Sequence, residues 1–106
     1  MTPKEAGELF RKLHEGELIN QENQEELLGF LTDTEFEDRI PQGVPEEVRV
    51  AHKIGTLAGV YSDAGIVYAE DSFVLVIMTK DAQEKEALEM LPQITRAVWD
   101  FEIESE

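Results

Sequence analysis

The fold is decided by residues 48–78, VRVAHKIGTLAGVYSDAGIVYAEDSFVLVIM, because three strand patterns follow one another within this stretch. Over 48–54 the side chains alternate between two chemically different sets, which is typical of a strand with two distinct faces. Two glycines within 55–59 predict a turn, and a second strand is expected over 60–69. The six consecutive apolar residues Phe73–Met78 indicate a strand buried on both faces, which is usually a central strand.

Helical patterns precede this stretch. Thr2-Pro3-Lys4-Glu5 has the hydroxyl, proline and glutamate spacing of a capping box, so a first helix is expected to begin there and to end near Gly16. A second helix is expected from about Gln21, with Asn20 as its N-cap. Its predicted buried residues are Leu27, Leu28 and Leu31.

A third helix is predicted after the strands, over 81–106. Its apolar side chains recur every three or four residues, as the helical repeat requires. The stripe comprises Ala87, Leu91, Ile94, Val98 and Phe101. Because a proline inside a helix removes a backbone hydrogen bond, Pro92 predicts a kink or a break near Leu91.

These elements predict an α+β fold, a three-stranded antiparallel sheet flanked by two N-terminal helices and a C-terminal helix. The 106 residues have the length of one small domain, so a single domain is expected over 1–106. Its parts are a helical region over 1–31, a loop with two prolines over 32–47, the antiparallel sheet over 48–80 and the last helix over 81–106.

The chain carries 24 acidic and 9 basic residues, a formal net charge of −15. Such a charge argues against nucleic-acid binding and against an anionic membrane surface, both of which would repel it. No apolar run is long enough to span a membrane, and the residues after Met1 do not predict a signal peptide. The chain has no cysteine, which excludes a thiol nucleophile within it and gives no indication of the compartment.

The polar residues reveal little chemistry by their spacing. The two histidines form no metal-binding pattern, so no metal or cofactor is expected. His14 is interpreted as a surface residue, and His52 as a packed or bridging histidine rather than a base. The glycines form no phosphate-binding loop, and none of the three serines is followed three residues later by lysine.

One segment resembles a known family. Residues 50–67, VAHKIGTLAGVYSDAGIV, resemble the K-T-G strand and the following strand of class A serine beta-lactamases and of their penicillin-interacting relatives. The resemblance extends to Thr2-Pro3, to Gly16-Glu17-Leu18, to Asp38-Arg39-Ile40-Pro41 and to the closing helix around Thr95–Phe101. It covers nearly all of this chain but less than half of that family's catalytic domain.

The resemblance implies a role for three residues of the strand. Lys53 would bind the substrate carboxylate and tune the proton transfers of the nucleophile, and Gly55 would keep that wall of the cleft bare. Thr56 would supply a hydroxyl contact or a backbone donor of an oxyanion hole. The alternative for Lys53 is an ordinary solvated lysine on a polar face.

The departures from the family pattern are equally informative. Ile54 occupies the middle position of the triad and has no hydroxyl, so one carboxylate contact is missing. The nucleophile motif S-x-x-K is absent from the chain, and no catalytic residue is predicted within it. Ser62-Asp63-Ala64 imitates the family's S-D-N triplet but lies after the K-T-G element instead of before it, and is therefore discounted.

The expected function is that of a C-terminal segment of a serine beta-lactamase-like hydrolase, which supplies the wall of a beta-lactam or carboxylate site and is inactive alone. Two alternatives remain open: a non-catalytic homodimeric binding or assembly module, and one half of a two-chain enzyme. A homodimer is expected to form through the edge of the strand Phe73–Met78, unless a missing N-terminal half covers it. The family is usually exported, but no compartment is predicted for this chain.

Overall fold

A computed structural model describes residues 1–32, 34 and 37–104. Residues 33, 35 and 36 of the predicted loop, and 105–106 of the predicted last helix, lie outside the described residues. Two helices come first, followed by a short 3₁₀ helix, three strands and a long helix. These elements are α1 (Pro3–His14), α2 (Gln21–Phe30), η1 (Ile40–Gly43), β1 (Val50–Leu57), β2 (Val60–Val67), β3 (Phe73–Met78) and α3 (Glu84–Glu104).

The N-terminal helices begin at the predicted caps. The Thr2 hydroxyl accepts a hydrogen bond from the Glu5 amide at 3.1 Å, while the Glu5 carboxylate accepts from the Thr2 amide at 3.0 Å. The side-chain oxygen of Asn20 accepts from the Asn23 amide at 2.9 Å. Gly16, with a φ of +77°, follows the end of α1 in the left-handed conformation that favours glycine.

The three strands form one antiparallel sheet in the order β1-β2-β3, which confirms the predicted α+β fold. β1 extends to Leu57, so the turn predicted over 55–59 consists of Ala58 and Gly59 alone. Gly59 has a φ of +75°, which a side chain would disfavour. β2 ends at Val67 rather than at Ala69, and β3 has the predicted bounds.

Each face of the sheet is covered by a different part of the chain. Phe10 and Leu13 of α1 pack with Ile66 of β2 on one face. On the opposite face, Ile40 at the start of η1 packs with Val67, and Trp99 of α3 lies against this second cluster. β2 runs between the two clusters and is the most buried strand. This arrangement fixes which side of β1 meets which helices.

The last helix differs from its prediction. α3 is continuous through Pro92, and the predicted break does not occur. Leu91, directly before Pro92, and Thr95, one turn after it, are both fully buried, and this burial offsets the loss of one backbone hydrogen bond at the proline. The buried stripe consists of Ala87, Leu91 and Thr95. Ile94 and Phe101 were predicted to be buried but are exposed, the latter by 66%.

α3 can approach η1 closely because of one glycine. A Cβ built on Gly43 would lie 2.5 Å from both the Pro92 carbonyl oxygen and the Thr95 Cβ, so any other side chain would push η1 away from the helix.

α2 also departs from its prediction, because none of its residues is buried. Leu27 is 39% exposed although it was predicted to be buried, and Leu28 and Leu31 are half-buried. Among residues 1–32, 34 and 37–104, no helix combines the length and the apolar composition of a membrane span.

Candidate functional site

The backbone of β1 alternates between facing β2 and facing away from it. The Arg49 carbonyl accepts a hydrogen bond from the Tyr68 amide at 3.0 Å, whereas the His52 amide donates to the Leu31 carbonyl at 3.0 Å, on the opposite side of the strand. Because backbone groups alternate along an antiparallel strand, the amides of Ile54 and Thr56 also point away from β2. β1 therefore presents polar backbone groups at its outer edge.

Two of the predicted site residues, Lys53 and Gly55, lie on the face of the sheet that α1 covers. Lys53 pairs with Ala64, a member of the α1 cluster, and its exposed ammonium donates to the Ile54 carbonyl at 2.9 Å. A Cβ on Gly55 would lie 2.7 Å from the Ser62 hydroxyl oxygen. Glycine at this position thus leaves room for Ser62 as well as keeping the surface bare.

The other two predicted residues, Ile54 and Thr56, lie on the face covered by η1, since side chains alternate along the strand. The Thr56 hydroxyl accepts a hydrogen bond from Arg39 Nη2 at 2.6 Å. It is consequently engaged by a cation of the same chain. The four residues do not share one face of the sheet, although their backbones form one continuous edge.

Arg39 is a buried residue of this site to which sequence reasoning gave no role. Its Nη1 donates to the carbonyl oxygens of Gly55 and Ser62, at 2.8 and 2.7 Å, in addition to the Thr56 contact. The guanidinium carbon lies 5.8 Å from the ring centre of Tyr61. Arg39 thus holds both strands at the Gly55–Ser62 pair. An arginine in an otherwise acidic loop was the available signal.

A second buried group lies nearby on the same face. His52 is 1% exposed and Asp63 is fully buried, and His52 Nδ1 lies 2.7 Å from Asp63 Oδ1. The Ile40 amide donates to Asp63 Oδ2 at 3.0 Å. The prediction of a packed or bridging His52 is confirmed. Asp63, the middle residue of the Ser62-Asp63-Ala64 triplet, is therefore occupied within the core.

The charge state of His52 is set by opposing effects. Burial of the ring by itself lowers the pKa of His52, but the hydrogen bond and the negative charge of Asp63, together with Glu37, raise the pKa above its ordinary value of 6.5 overall. Glu37 Oε2 lies 3.3 Å from His52 Nε2. The imidazole is therefore stabilised as a cation between two carboxylates.

His14, by contrast, is exposed as predicted, with its ring 6.3 Å from that of Tyr68.

An apolar groove lies between α1, α2 and the Lys53 side of β1, with a volume of about 380 Å³. Leu9, Leu18 and Leu27, all partly exposed, contribute to its walls, and Lys53, Ile54 and Gly55 line its β1 side. Leu27, which was predicted to be buried, thus lies at the wall of an open groove. Within the described part of the chain, no group of three or more histidine or acidic side chains is placed to hold a metal ion.

Comparisons with known proteins agree with this geometry. The sequence model described as the beta-lactamase enzyme family matches residues 1–101. A solved structure entitled "Structure of PBP-A" superposes with a TM-score of 0.90 at 23% identity, covering 98% of this chain and 40% of that one. At this identity the likeness shows the fold alone. No curated protein matches the chain.

Two further solved structures are beta-lactamases. The enzyme from Sphaerobacter thermophilus is 28% identical, with a TM-score of 0.84, and 92% of this chain covers 38% of it. The enzyme from Francisella tularensis is 17% identical, with a TM-score of 0.80, and the whole of this chain covers 43% of it. The chain therefore spans about two fifths of the length of the structures it resembles.

Removal of the Arg39 guanidinium should destabilise the chain. Arg39→Ala leaves two carbonyl oxygens and the Thr56 hydroxyl without their charged donor, and we expect the free energy of unfolding to fall by about 3 kcal/mol. Arg39→Lys should recover little, because an ammonium cannot reproduce the planar fork. Urea denaturation followed by circular dichroism measures both.

Arg96→Ala is the matched control, because Arg96 makes an exposed ion pair with Asp100 at 3.5 Å. Its loss should change stability by less than about 1 kcal/mol. Equal effects of the alanine substitutions at the two arginines would contradict the assignment of Arg39 as the clamp between β1 and β2.

Proposed function

Because the chain belongs to the beta-lactamase enzyme family, we propose that it supplies the substrate-binding wall of a serine beta-lactamase-like acyl hydrolase. The substrate class is a beta-lactam or a related amide that carries a carboxylate. The observation that carries the proposal is the outer edge of β1, where an exposed lysine, a glycine and an outward-facing amide follow one another.

Each of these groups has a separate task in the proposed site. The Lys53 ammonium attracts the substrate carboxylate by a charge-assisted hydrogen bond. The outward Thr56 amide donates to the carbonyl oxygen that gains negative charge during acyl transfer. The Thr56 hydroxyl is held by Arg39 at 2.6 Å, and this contact supports the amide as the group that Thr56 offers to substrate.

The nucleophile of the proposed reaction comes from outside these 106 residues, because none of the three serines is followed by lysine at the third position. The apolar groove beside Lys53 is a suitable place for the element that carries it. The solved beta-lactamases extend well beyond the two fifths that this chain matches, and a helix from the remainder would cover Leu9, Leu18 and Leu27. That remainder belongs either to the same polypeptide or to a second chain.

A second candidate function, a homodimeric binding or assembly module, is favoured by the geometry of β3. The Thr79 amide donates to the Tyr61 carbonyl, so odd-numbered residues of β3 face β2 and those at 74, 76 and 78 face away from it. β3 is the last strand of the sheet in the described residues. Its outward groups can pair with the same strand of a second copy.

The 106-residue chain alone should not be acylated by a beta-lactam. Ser62 donates to the Gly55 carbonyl at 3.3 Å and Ser72 to the Ala69 carbonyl at 3.4 Å, and neither has the lysine spacing of a nucleophile. We expect intact-mass spectrometry after incubation with a chromogenic cephalosporin to give the unmodified mass, without colour change. A stoichiometric adduct on Ser62, Ser72 or Thr56 would contradict this expectation.

The first two positions of the motif, Lys53 and Ile54, should respond in opposite directions to substitution within a complete catalytic domain. Ile54→Thr adds a hydroxyl that can bind the substrate carboxylate, which is worth about 1.5–3 kcal/mol, or about tenfold or more in the acylation rate constant. Lys53→Ala should reduce that constant by at least as much. Stopped-flow acylation with a chromogenic cephalosporin measures both.

Ile54→Val is the matched control, since it has the shape of threonine without the hydroxyl and should give no gain. In the 106-residue chain, Lys53→Ala should leave the unfolding midpoint nearly unchanged, because Lys53 is exposed. A large loss of stability would instead identify Lys53 as a structural residue and would contradict its assignment to substrate.

The chain without the remainder of the catalytic domain should form a dimer through β3. Light scattering coupled to gel filtration at high micromolar concentration should give twice the monomer mass. Val76→Pro removes an outward N–H and should restore the monomer. Met90→Lys, at an exposed apolar site on α3, should leave the dimer intact. A folded monomer, or a dimer that persists in Val76→Pro, would rule out pairing through this edge.

A further inference from the structure

The segment 37–40, which leads into η1, is attached to the sheet at three points. Glu37 approaches His52, Arg39 binds Gly55, Ser62 and Thr56, and the Ile40 amide donates to Asp63. The first and third contacts share one buried His52–Asp63 pair. The second contact holds the strand edge that the proposed function assigns to substrate.

The two nitrogens of His52 have different surroundings. Nδ1 lies 2.7 Å from Asp63 Oδ1 and 2.9 Å from Oδ2, so it carries a proton in either charge state of the ring. Nε2 is buried, has no hydrogen-bond partner in the described residues and lies 3.3 Å from Glu37 Oε2. Its protonation state therefore decides how Glu37 is held.

A protonated Nε2 attracts the Glu37 carboxylate 3.3 Å away, whereas the lone pair of a neutral Nε2 repels it. Two charged groups approach the imidazole in the described residues: Asp63 from β2 and Glu37 from the segment before η1. η1 itself contributes a backbone amide, which binds Asp63 and not the ring. The guanidinium of Arg39 is directed at Gly55, Ser62 and Thr56.

We propose that His52, Asp63 and Glu37 are positioning residues that fasten Arg39 onto the outer edge of β1, and that the fastening loosens when His52 loses its Nε2 proton. Loss of the Glu37 contact frees the chain two residues before Arg39, while Asp63 continues to hold Ile40. The Thr56 amide then becomes less well fixed. The consequence for catalysis rests on the proposed function, but the movement of Arg39 and Thr56 does not.

The direction of the pH effect follows from the raised pKa of His52. Below the unfolded-state value of about 6.5 the ring is charged in both states and the contact contributes its full stability. As the pH rises through the higher folded-state pKa, that contribution is lost. The hold on Arg39 is thus strongest at mildly acidic pH and weakens at alkaline pH.

Nuclear magnetic resonance of the isotopically labelled 106-residue chain tests this coupling. Between pH 5 and pH 9, the Thr56 amide and the Arg39 Nε–H resonances should shift with the same midpoint as the His52 ring, and that midpoint should lie above 6.5. His14→Gln removes the other histidine and should leave all three curves unchanged.

Glu37→Gln keeps the size of the side chain and removes its charge. We expect this substitution to shift the His52 midpoint to lower pH and to reduce the pH-dependent shifts of Arg39 and Thr56. Thr56 and Arg39 resonances that do not follow His52, or a His52 midpoint unchanged by Glu37→Gln, would overturn the proposal. Glu37→Gln is a suitable test because Glu37 is partly exposed and its substitution should not prevent folding.

The same coupling should appear in a complete catalytic domain as a fall in acylation rate constant above the His52 midpoint. In Glu37→Gln the fall should be smaller and should occur at lower pH. An acylation rate that does not follow the His52 titration would overturn the link to catalysis. Absence of acylation at every pH would contradict the proposed function alone, since the resonance titration does not depend on it.

Discussion

Asp63 is a fully buried carboxylate at the centre of the sheet, and the arrangement of β1, β2 and η1 follows from the need to satisfy it. A carboxylate removed from water requires a counter-charge or several donors, since its desolvation costs far more than a neutral group's. His52 supplies the counter-charge from the neighbouring strand, and the Ile40 amide supplies a donor from the first residue of η1. One carboxylate therefore joins the sheet to the segment that positions Arg39.

The position of His52 on β1 also requires a glycine at the opposite position of β2. In the β1–β2 register His52 lies opposite Gly65, and a Cβ on Gly65 would lie 2.6 Å from the His52 Cβ. Asp63 itself is opposite Ile54, so the His52–Asp63 contact is diagonal across the two strands. The sequence of β1 shows by alternation that His52 shares a face with Val50 and Ile54. Alternation does not, however, reveal the register in which β1 pairs with β2. Without that register, the diagonal partner of His52 cannot be identified.

Local signals in the sequence were sufficient for the starts of α1 and α2 and for the presence and order of the three strands. The capping box at Thr2 and the cap at Asn20 act through neighbours three residues away, and β3 is a single apolar run. The failures at Leu27, Ile94 and Phe101 have a common cause. A helical repeat indicates that a residue is apolar, but which apolar stripe is buried depends on the surfaces available to cover it. Here Gly43 admits Thr95 to the contact with η1, which turns Ile94 and Phe101 outward. Arg39 was missed for a related reason, since its three acceptors come from two strands about 16 to 23 residues later in the sequence.

Lys53 on β1 and Arg39 beside it are two cationic residues in a strongly acidic chain. The flanks at 1–47 and 81–106 carry net charges of −9 and −6, whereas 48–80 is neutral, so an anionic ligand is repelled by most of the molecule. Lys53 is exposed at the β1 edge, while Arg39 is buried beneath it and already engaged by two carbonyls and a hydroxyl. A ligand carboxylate at this edge would therefore pair with Lys53 and feel Arg39 only through the strand. Salt at 0.1 M screens the repulsion between exposed charges within about 10 Å, whereas a direct contact with Lys53 is screened less. If the edge binds a carboxylate as proposed, its selectivity would therefore depend on close contact and not on long-range attraction. For the proposed binding, the positioning of β1 by Arg39 and His52 would then matter more than the net charge of the chain.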